Sequence, residues 1–219
     1  MPACDREALT GTDGRIIHDP TTGETIMFIE TSAESGGARV VMRLGLAPGT
    51  VVPPHAHPIE EIFECVEGQL AFQLNDRTIH LRPGGTITAR SGQLHGFCNV
   101  SDDPAALRIV ATPGTEAEYG LRVKFLLSRD GYLPHGAGPP KHLLLAAIVL
   151  HRGGLYFPPL PRWLFRLLIG CLAALGRWRG RETFLLSHYP EYRRYLESLG
   201  RGARRTEHEG DNAPCHQTN

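Results

Sequence analysis

Between Gly49 and Gly68 the chain reads G-x5-H-x-H-x3-E-x6-G, a spacing that brings His55, His57 and Glu61 onto one extended segment and its turn. Side chains alternate faces along a strand, so His55 and His57 leave the same face while Ala56 leaves the other, and Glu61 keeps their parity. Pro53, Pro54 and Pro58 fix the backbone around the histidines, which suits a strand edge or end better than the middle of a ladder. A second segment, Gly84-x5-Arg90-x-Gly92-x2-His95-x3-Asn99, supplies a third histidine from a separate apolar run. Imidazole and carboxylate donors suit Fe, Mn, Co, Ni, Cu or Zn, and three of one with one of the other leave coordination positions open. Open positions are where a metal can do chemistry.

Taken together, the two segments resemble the paired motifs of the cupin superfamily, small jelly-roll barrels. The resemblance implies a mainly β fold, a cupin-type jelly-roll β-barrel, holding one divalent transition metal, iron before Mn, Ni, Zn, Co or Cu. It carries over His55, His57, Glu61 and His95 as the metal ligands, with Gly49, Gly68, Gly84, Gly92 and Asn99 in structural positions. Arg90 stands where the family usually has proline, which bears on the shape of that turn and hardly on the ligands. The layout of a barrel followed by Pro-separated apolar helices and a Tyr-rich stretch, His188-Tyr189-Pro190-Glu191-Tyr192, is similar to bacterial cupin-domain proteins with a C-terminal helical extension.

Histidines on apolar strands also serve as hydrogen-bonded core residues, and cupin-like chains that have lost ligands act as scaffolds. Here all four donors are present. The other eight histidines, among them His18, His80, His135, His142, His151, His188, His208 and His216, form no comparable constellation. Cys65 shares the parity of Glu61, but no base is placed beside it, and a small buried hydrophobe is its ordinary role.

The elements that must position these residues are short. Apolar runs fall at residues 26–30, 39–46, 62–66, 70–74, 78–81, 86–89, 96–100 and 107–112, separated by turn residues such as Asn75-Asp76 and Pro83-Gly84-Gly85. Regular short strands with this punctuation favour a closed or double-sheet β architecture. After Pro113-Gly114 the pattern turns helical, with Thr115 as a candidate N-cap and Glu118 as its capping-box partner, ending near Asp130-Gly131. Two further apolar segments follow, residues 143–150 and 163–175. The expected organisation is an N-terminal arm over 1–24, the barrel over 25–114, a helical extension over 115–199 and a disordered tail over 200–219.

At 219 residues the chain exceeds the size of one small barrel, so an appendage is expected. With 23 basic and 23 acidic residues the formal charge is zero, which argues against nucleic acid as a partner. Five cysteines without paired spacing argue against a disulfide framework, and the polar start at residues 1–12 lacks a secretory pattern; both point to the cytoplasm. The apolar helices either cover the barrel or form a homodimer seam, or they reach a membrane surface through residues 162–181, where Trp163 and Trp178 bracket leucines among arginines.

For function the sequence supports a metal-dependent enzyme acting on a small, mostly apolar organic metabolite, with oxygenase chemistry ahead of a non-redox isomerase, cyclase or decarboxylase. A small-molecule-binding module without turnover is the third reading. Leu70, Phe72 and Leu74, beside Phe63 and Phe97, either line a pocket or fill the barrel core. Gln73, Arg90, Gln93 and Asn99 are candidates to orient ligands or substrate, and no general base is visible.

Overall fold

The computed structural model describes residues 14–19, 22–133 and 142–210, with 201–210 as backbone only. Strands β1 (Ile16–His18), β2 (Thr25–Glu30), β3 (Val40–Leu46), β4 (Val51–His55), β5 (Glu60–Glu67), β6 (Leu70–Leu74), β7 (Arg77–Leu81), β8 (Thr86–Ala89), β9 (His95–Asn99) and β10 (Ala105–Thr112) come first. Helices α1 (Gly114–Arg129), α2 (Leu143–Arg152), α3 (Arg162–Trp178), α4 (Arg181–His188) and α5 (Pro190–Gly210) follow.

The strands form two antiparallel sheets, ordered β1-β2-β3-β10-β5-β8 and β4-β9-β6-β7, a jelly-roll arrangement. Alternation explains their inner faces. Leu70 and Phe72 of β6 are fully buried while Ala71 between them is only partly so. The β6–β7 connection turns on Asn75, whose φ of 52° asparagine tolerates better than most residues. β4, with its two prolines, lies at the edge of the smaller sheet, and its pairing with β9 shifts register between Val52 and His55, where Pro53 and Pro54 have no N–H to give.

Side chains from both sheets meet in one core that includes Phe28, Met42, Phe63, Leu70, Phe72, Phe97 and Leu107. The rings of Phe63, Phe72 and Phe97 touch one another, with centroids 4.9 to 5.7 Å apart. Phe63, Leu70 and Phe72 are at most 1% exposed, so these residues fill the barrel interior.

Helix α1 belongs to two cores. Ala117 and Phe125 join the barrel core, whereas Val123 and Leu127 join a second one with Leu145, Ile148, Ala173, Leu185, Tyr192 and Tyr195 of α2 to α5. Its start differs from the capping box expected at Thr115. Pro113 is the N-cap, without a side-chain cap bond. Glu118, 4% exposed, instead accepts the Ser32 N–H at 2.7 Å and pairs with Arg122 at 2.8 Å. A buried carboxylate gains more from a charged partner and a distant loop amide than from its own helix end.

Other differences are local. β1 lies within the expected N-terminal arm, and β4 is the strand expected to carry His55, at the sheet edge that its prolines suit. α4 was not expected. Helical backbone in α5 continues to Gly210, past the expected helix limit at 199. The arginines, Ala203 and the glutamates of that stretch are good helix formers and extend a helix already begun. Cys4, His135 and the segments 1–13 and 211–219, with Cys215 and His216, lie outside the described residues, as does the side chain of His208.

Candidate metal centre

The site spans both sheets. His55 ends β4 and His95 begins β9, and the two are direct cross-strand partners in the smaller sheet. Their neighbour Glu61 stands on β5 of the larger sheet, and His57 lies in the connection that carries the chain from β4 to β5. Gly96 permits the approach: a Cβ there would meet Pro54 N at 2.8 Å and Val52 O at 2.9 Å, so β9 can lie against the proline-kinked β4 only without a side chain.

His55, His57 and His95 could hold a metal ion together, since each offers a ligand atom within 4.8 Å of the others'. Glu61 Oε2 lies 3.2 Å from His57 Nε2 and 3.1 Å from His95 Nε2. Two donors each about 2.1 Å from one ion and at right angles to it stand about 3.0 Å apart, so these separations suit adjacent ligands of a single cation.

Hydrogen bonds orient two of the rings. His55 Nδ1 lies 2.9 Å from Pro53 O and His95 Nδ1 2.9 Å from Gln93 O, so each Nδ1–H donates to a carbonyl and Nε2 is left with its lone pair. His95 Nε2 then faces an acceptor oxygen of Glu61, and a proton or a metal cation between them relieves the repulsion. That donor set, with a lone pair and a carboxylate converging at 3.1 Å, fits a bound metal. His57 differs, because its Nδ1 accepts the Ile59 N–H at 3.3 Å.

The electrostatics favour the ligand-ready forms of His55 and Glu61. Burial, with the charges of His95 and His57, pushes the His55 imidazole down to about 3, so it is neutral near pH 7. Burial acts to raise Glu61, but the hydrogen bonds and positive charge that His57 and His95 offer when a proton lies between them and the carboxylate outweigh it and hold the carboxyl below its usual range. Burial acts to lower His57, and the hydrogen bond and charge of Glu61 reverse the direction.

The helical extension contributes a residue that the sequence did not point to. Ala56, between the two histidines, exchanges both backbone hydrogen bonds with Tyr156 at 2.9 Å, which brings the α2–α3 connection across the site. The Phe157 ring stacks on His55 with centroids 5.8 Å apart. Arg162 then donates from Nη2 to Gly92 O at 2.7 Å, in the turn leading to His95, while its guanidinium lies over Tyr156 at 5.0 Å. A single aromatic one hundred residues downstream carries no local signal of this, and only the proline pair after it hints at a fixed connection.

The remaining candidates have structural tasks. Asn99, 3% exposed, donates from Nδ2 to Leu46 O, Ala47 O and Asp103 O, and accepts from the Ser101 N–H and hydroxyl. Gln73 donates to Asn75 O in the β6–β7 turn. Arg90, in place of the family's proline, has an N–H that proline lacks, and it donates this to Gln93 Oε1 at 3.1 Å. Gln93 thus steadies the turn with its side chain and His95 with its carbonyl. Cys65 is 1% exposed in the core, and burial raises its thiol, so it is an inert hydrophobe.

Residues 42–111 match the family model described as "Cupin domain". Residues 42–111 of the barrel are therefore a cupin domain. No curated protein matches the sequence. Among solved structures it is similar to a predicted oxalate decarboxylase from Thermotoga maritima, at 23% identity over 41% of this chain and 79% of that one, with a TM-score of 0.38. It is similar to a sugar phosphate isomerase of the cupin superfamily from Silicibacter pomeroyi at 23% identity, over 42% of this chain and 61% of that one, with a TM-score of 0.38. An RmlC-like cupin from Shewanella frigidimarina is 15% identical over 54% of this chain and 99% of that one, with a TM-score of 0.43.

Proposed function

We propose that the barrel binds one divalent transition metal through His55, His57, Glu61 and His95 and is a metal-dependent enzyme for a small, mostly apolar organic molecule. The observation that carries this reading is the position of Glu61 Oε2, 3.1 and 3.2 Å from two imidazole nitrogens, one of them turned lone-pair-first by its bond to Gln93. Phe157 against His55 and Phe63 and Phe72 behind His95 give the centre an aromatic surround, which favours a substrate with apolar parts.

The bound ion would polarise a substrate oxygen or, if redox-active, exchange electrons with it. The protein's own part is to hold four donors rigidly and to cover one side of the site with Phe157. Oxygenase chemistry, ahead on the sequence, requires a redox metal, whereas isomerisation, cyclisation or decarboxylation requires only a Lewis acid.

Elemental analysis of protein purified anaerobically without an affinity tag, set beside a His55→Ala/His95→Ala variant, tests the reading. Near-stoichiometric iron lost in the variant, with oxygen uptake on enols or phenols, supports an oxygenase. Stoichiometric zinc, nickel or manganese supports the non-redox enzyme. Absence of metal from the wild-type protein, after reconstitution with each of these ions, overturns the reading and leaves a binding module.

A further inference from the structure

Helix α3 exposes its apolar residues. Trp163 is 69% exposed, Leu167 56%, Leu168 45%, Leu175 38% and Trp178 80%, and at spacings of three and four they share one side of the helix with the exposed Cys171. Inward, α3 packs on α2 through the fully buried Ala173 and Gly176, with Ile169 and Leu172 partly buried against the helical core. Contiguous exposure of two tryptophans and three leucines is unusual for a surface that stays in water.

The charge around this face has one sign. From Leu160 to Arg181 the sequence has no aspartate or glutamate, but it has Arg162, Arg166, Arg177, Arg179 and Arg181. Among the described residues none of these five makes an ion pair with a carboxylate. Burial and then the charges of Arg177, Arg152 and Arg166 lower the neighbouring His151. A second copy of the chain is a poor occupant. Two α3 helices packed antiparallel about a twofold axis would set the arginines at the start of one beside those at the end of the other, with no acid in either to neutralise them.

No helix among the described residues is long and apolar enough to cross a membrane. We propose that α3 is a docking element for anionic lipid bilayers, lying in the plane of the interface with Trp163, Leu167, Leu175 and Trp178 at the acyl boundary and its arginines among the headgroups. Tryptophans at both ends and cations along the flank match what such an interface selects. The N-terminal end of the docked helix is the one that Arg162 ties to the turn before His95, so the metal centre is held close to the lipid. An amphiphilic substrate could then reach it from the bilayer.

The full chain offers a direct probe, because its two tryptophans are both on α3. Intrinsic emission and co-sedimentation are measured with vesicles of phosphatidylcholine alone and of phosphatidylcholine with one-third phosphatidylglycerol. The proposal expects a blue shift and pelleting with the anionic vesicles, weakened by salt and absent with the neutral ones. Arg166→Gln and Arg177→Gln should each lower partitioning about fivefold. Leu167→Glu, at an exposed position, should abolish it while metal content and circular dichroism stay unchanged. Emission that stays solvent-exposed, with protein left in the supernatant for both vesicles, overturns the proposal. Failure to pellet combined with a concentration-dependent dimer that Leu167→Glu dissociates also overturns it and assigns the face to a second copy.

Discussion

Tyr156 and Ala56, one hundred residues apart, exchange both of their backbone hydrogen bonds at 2.9 Å. This short bridge joins the helical extension to the barrel at the point where two histidines flank an alanine. Because Ala56 points away from them and is 2% exposed, the strap can pair with the backbone there without entering the space between the imidazoles. The next residue, Phe157, does meet the site, through His55. The extension is thereby part of the centre's wall as well as a neighbouring layer.

Removing that ring tests whether it governs access. In Phe157→Ala the four donors remain, so metal content on purification should be unchanged. Loss of metal to an excess of chelator should be several-fold faster, since a ring that covers one imidazole excludes competing ligands and water. Rapid mixing with a chromogenic chelator measures it, and equal rates in the two proteins would show that the strap does not limit entry.

Donor deletions separate the proposed ligands from other histidines. His57→Ala removes a nitrogen that lies 3.2 Å from Glu61, and Glu61→Gln removes the charge that a divalent ion would meet. Metal affinity should fall by roughly tenfold or more in each. His188, which stacks on Phe184 at 4.3 Å in the helical layer, is the control, and His188→Ala should retain full occupancy by elemental analysis. Equal occupancy in His57→Ala and wild type would remove His57 from the ligand set.

How far the sequence reveals this arrangement depends on the range of the interactions. Strands β6 and β8 fall where alternation and turn residues place them, because a half-buried strand writes its two faces into neighbouring positions. The spacing of His55, His57, Glu61 and His95 shows which side chains to look for, and the structure places them together from two sheets. β4 is legible through the parity of its histidine and through prolines that suit a sheet edge, without any apolar alternation, whereas β1, three residues long, is too short to have a period. Glu118 has the look of a capping residue yet is drawn to Ser32, 86 positions away. Phe157 is placed by the Ala56–Tyr156 bridge, a contact with no local pattern. What is missed is long-range pairing, which local propensity does not encode.

Gly176 sets the spacing of α2 and α3. A Cβ there would lie 2.9 Å from Leu144 O and 2.9 Å from Ile148 Cδ1, so a side chain must push against backbone as well as against a methyl group. Gly176→Val should destabilise the protein by about 1 to 3 kcal/mol through overpacking, an effect that outweighs the helix propensity gained over glycine. Urea denaturation measures it. The barrel core does not include this contact, so metal content below the unfolding transition should be preserved.

The helical core should also limit stability at high pH. Tyr195, 4% exposed, is pushed up to about 12, first by burial and then by the charge of Glu116. Tyr189 and Tyr192 shift in the same direction through burial and the carboxylates of Asp130 and Glu182. An unfolded tyrosine titrates near 10, so the folded state holds its proton more tightly. The stability tied to neutral Tyr195 is therefore complete below about pH 10 and is lost as pH rises through its folded value, a change on the order of 2 kcal/mol. Urea midpoints between pH 8 and 12 should fall over the upper half of that range, and less steeply in Tyr195→Phe, which keeps the ring and has no proton to lose. Parallel curves for the two proteins would assign the alkaline loss to Tyr189 and Tyr192 alone.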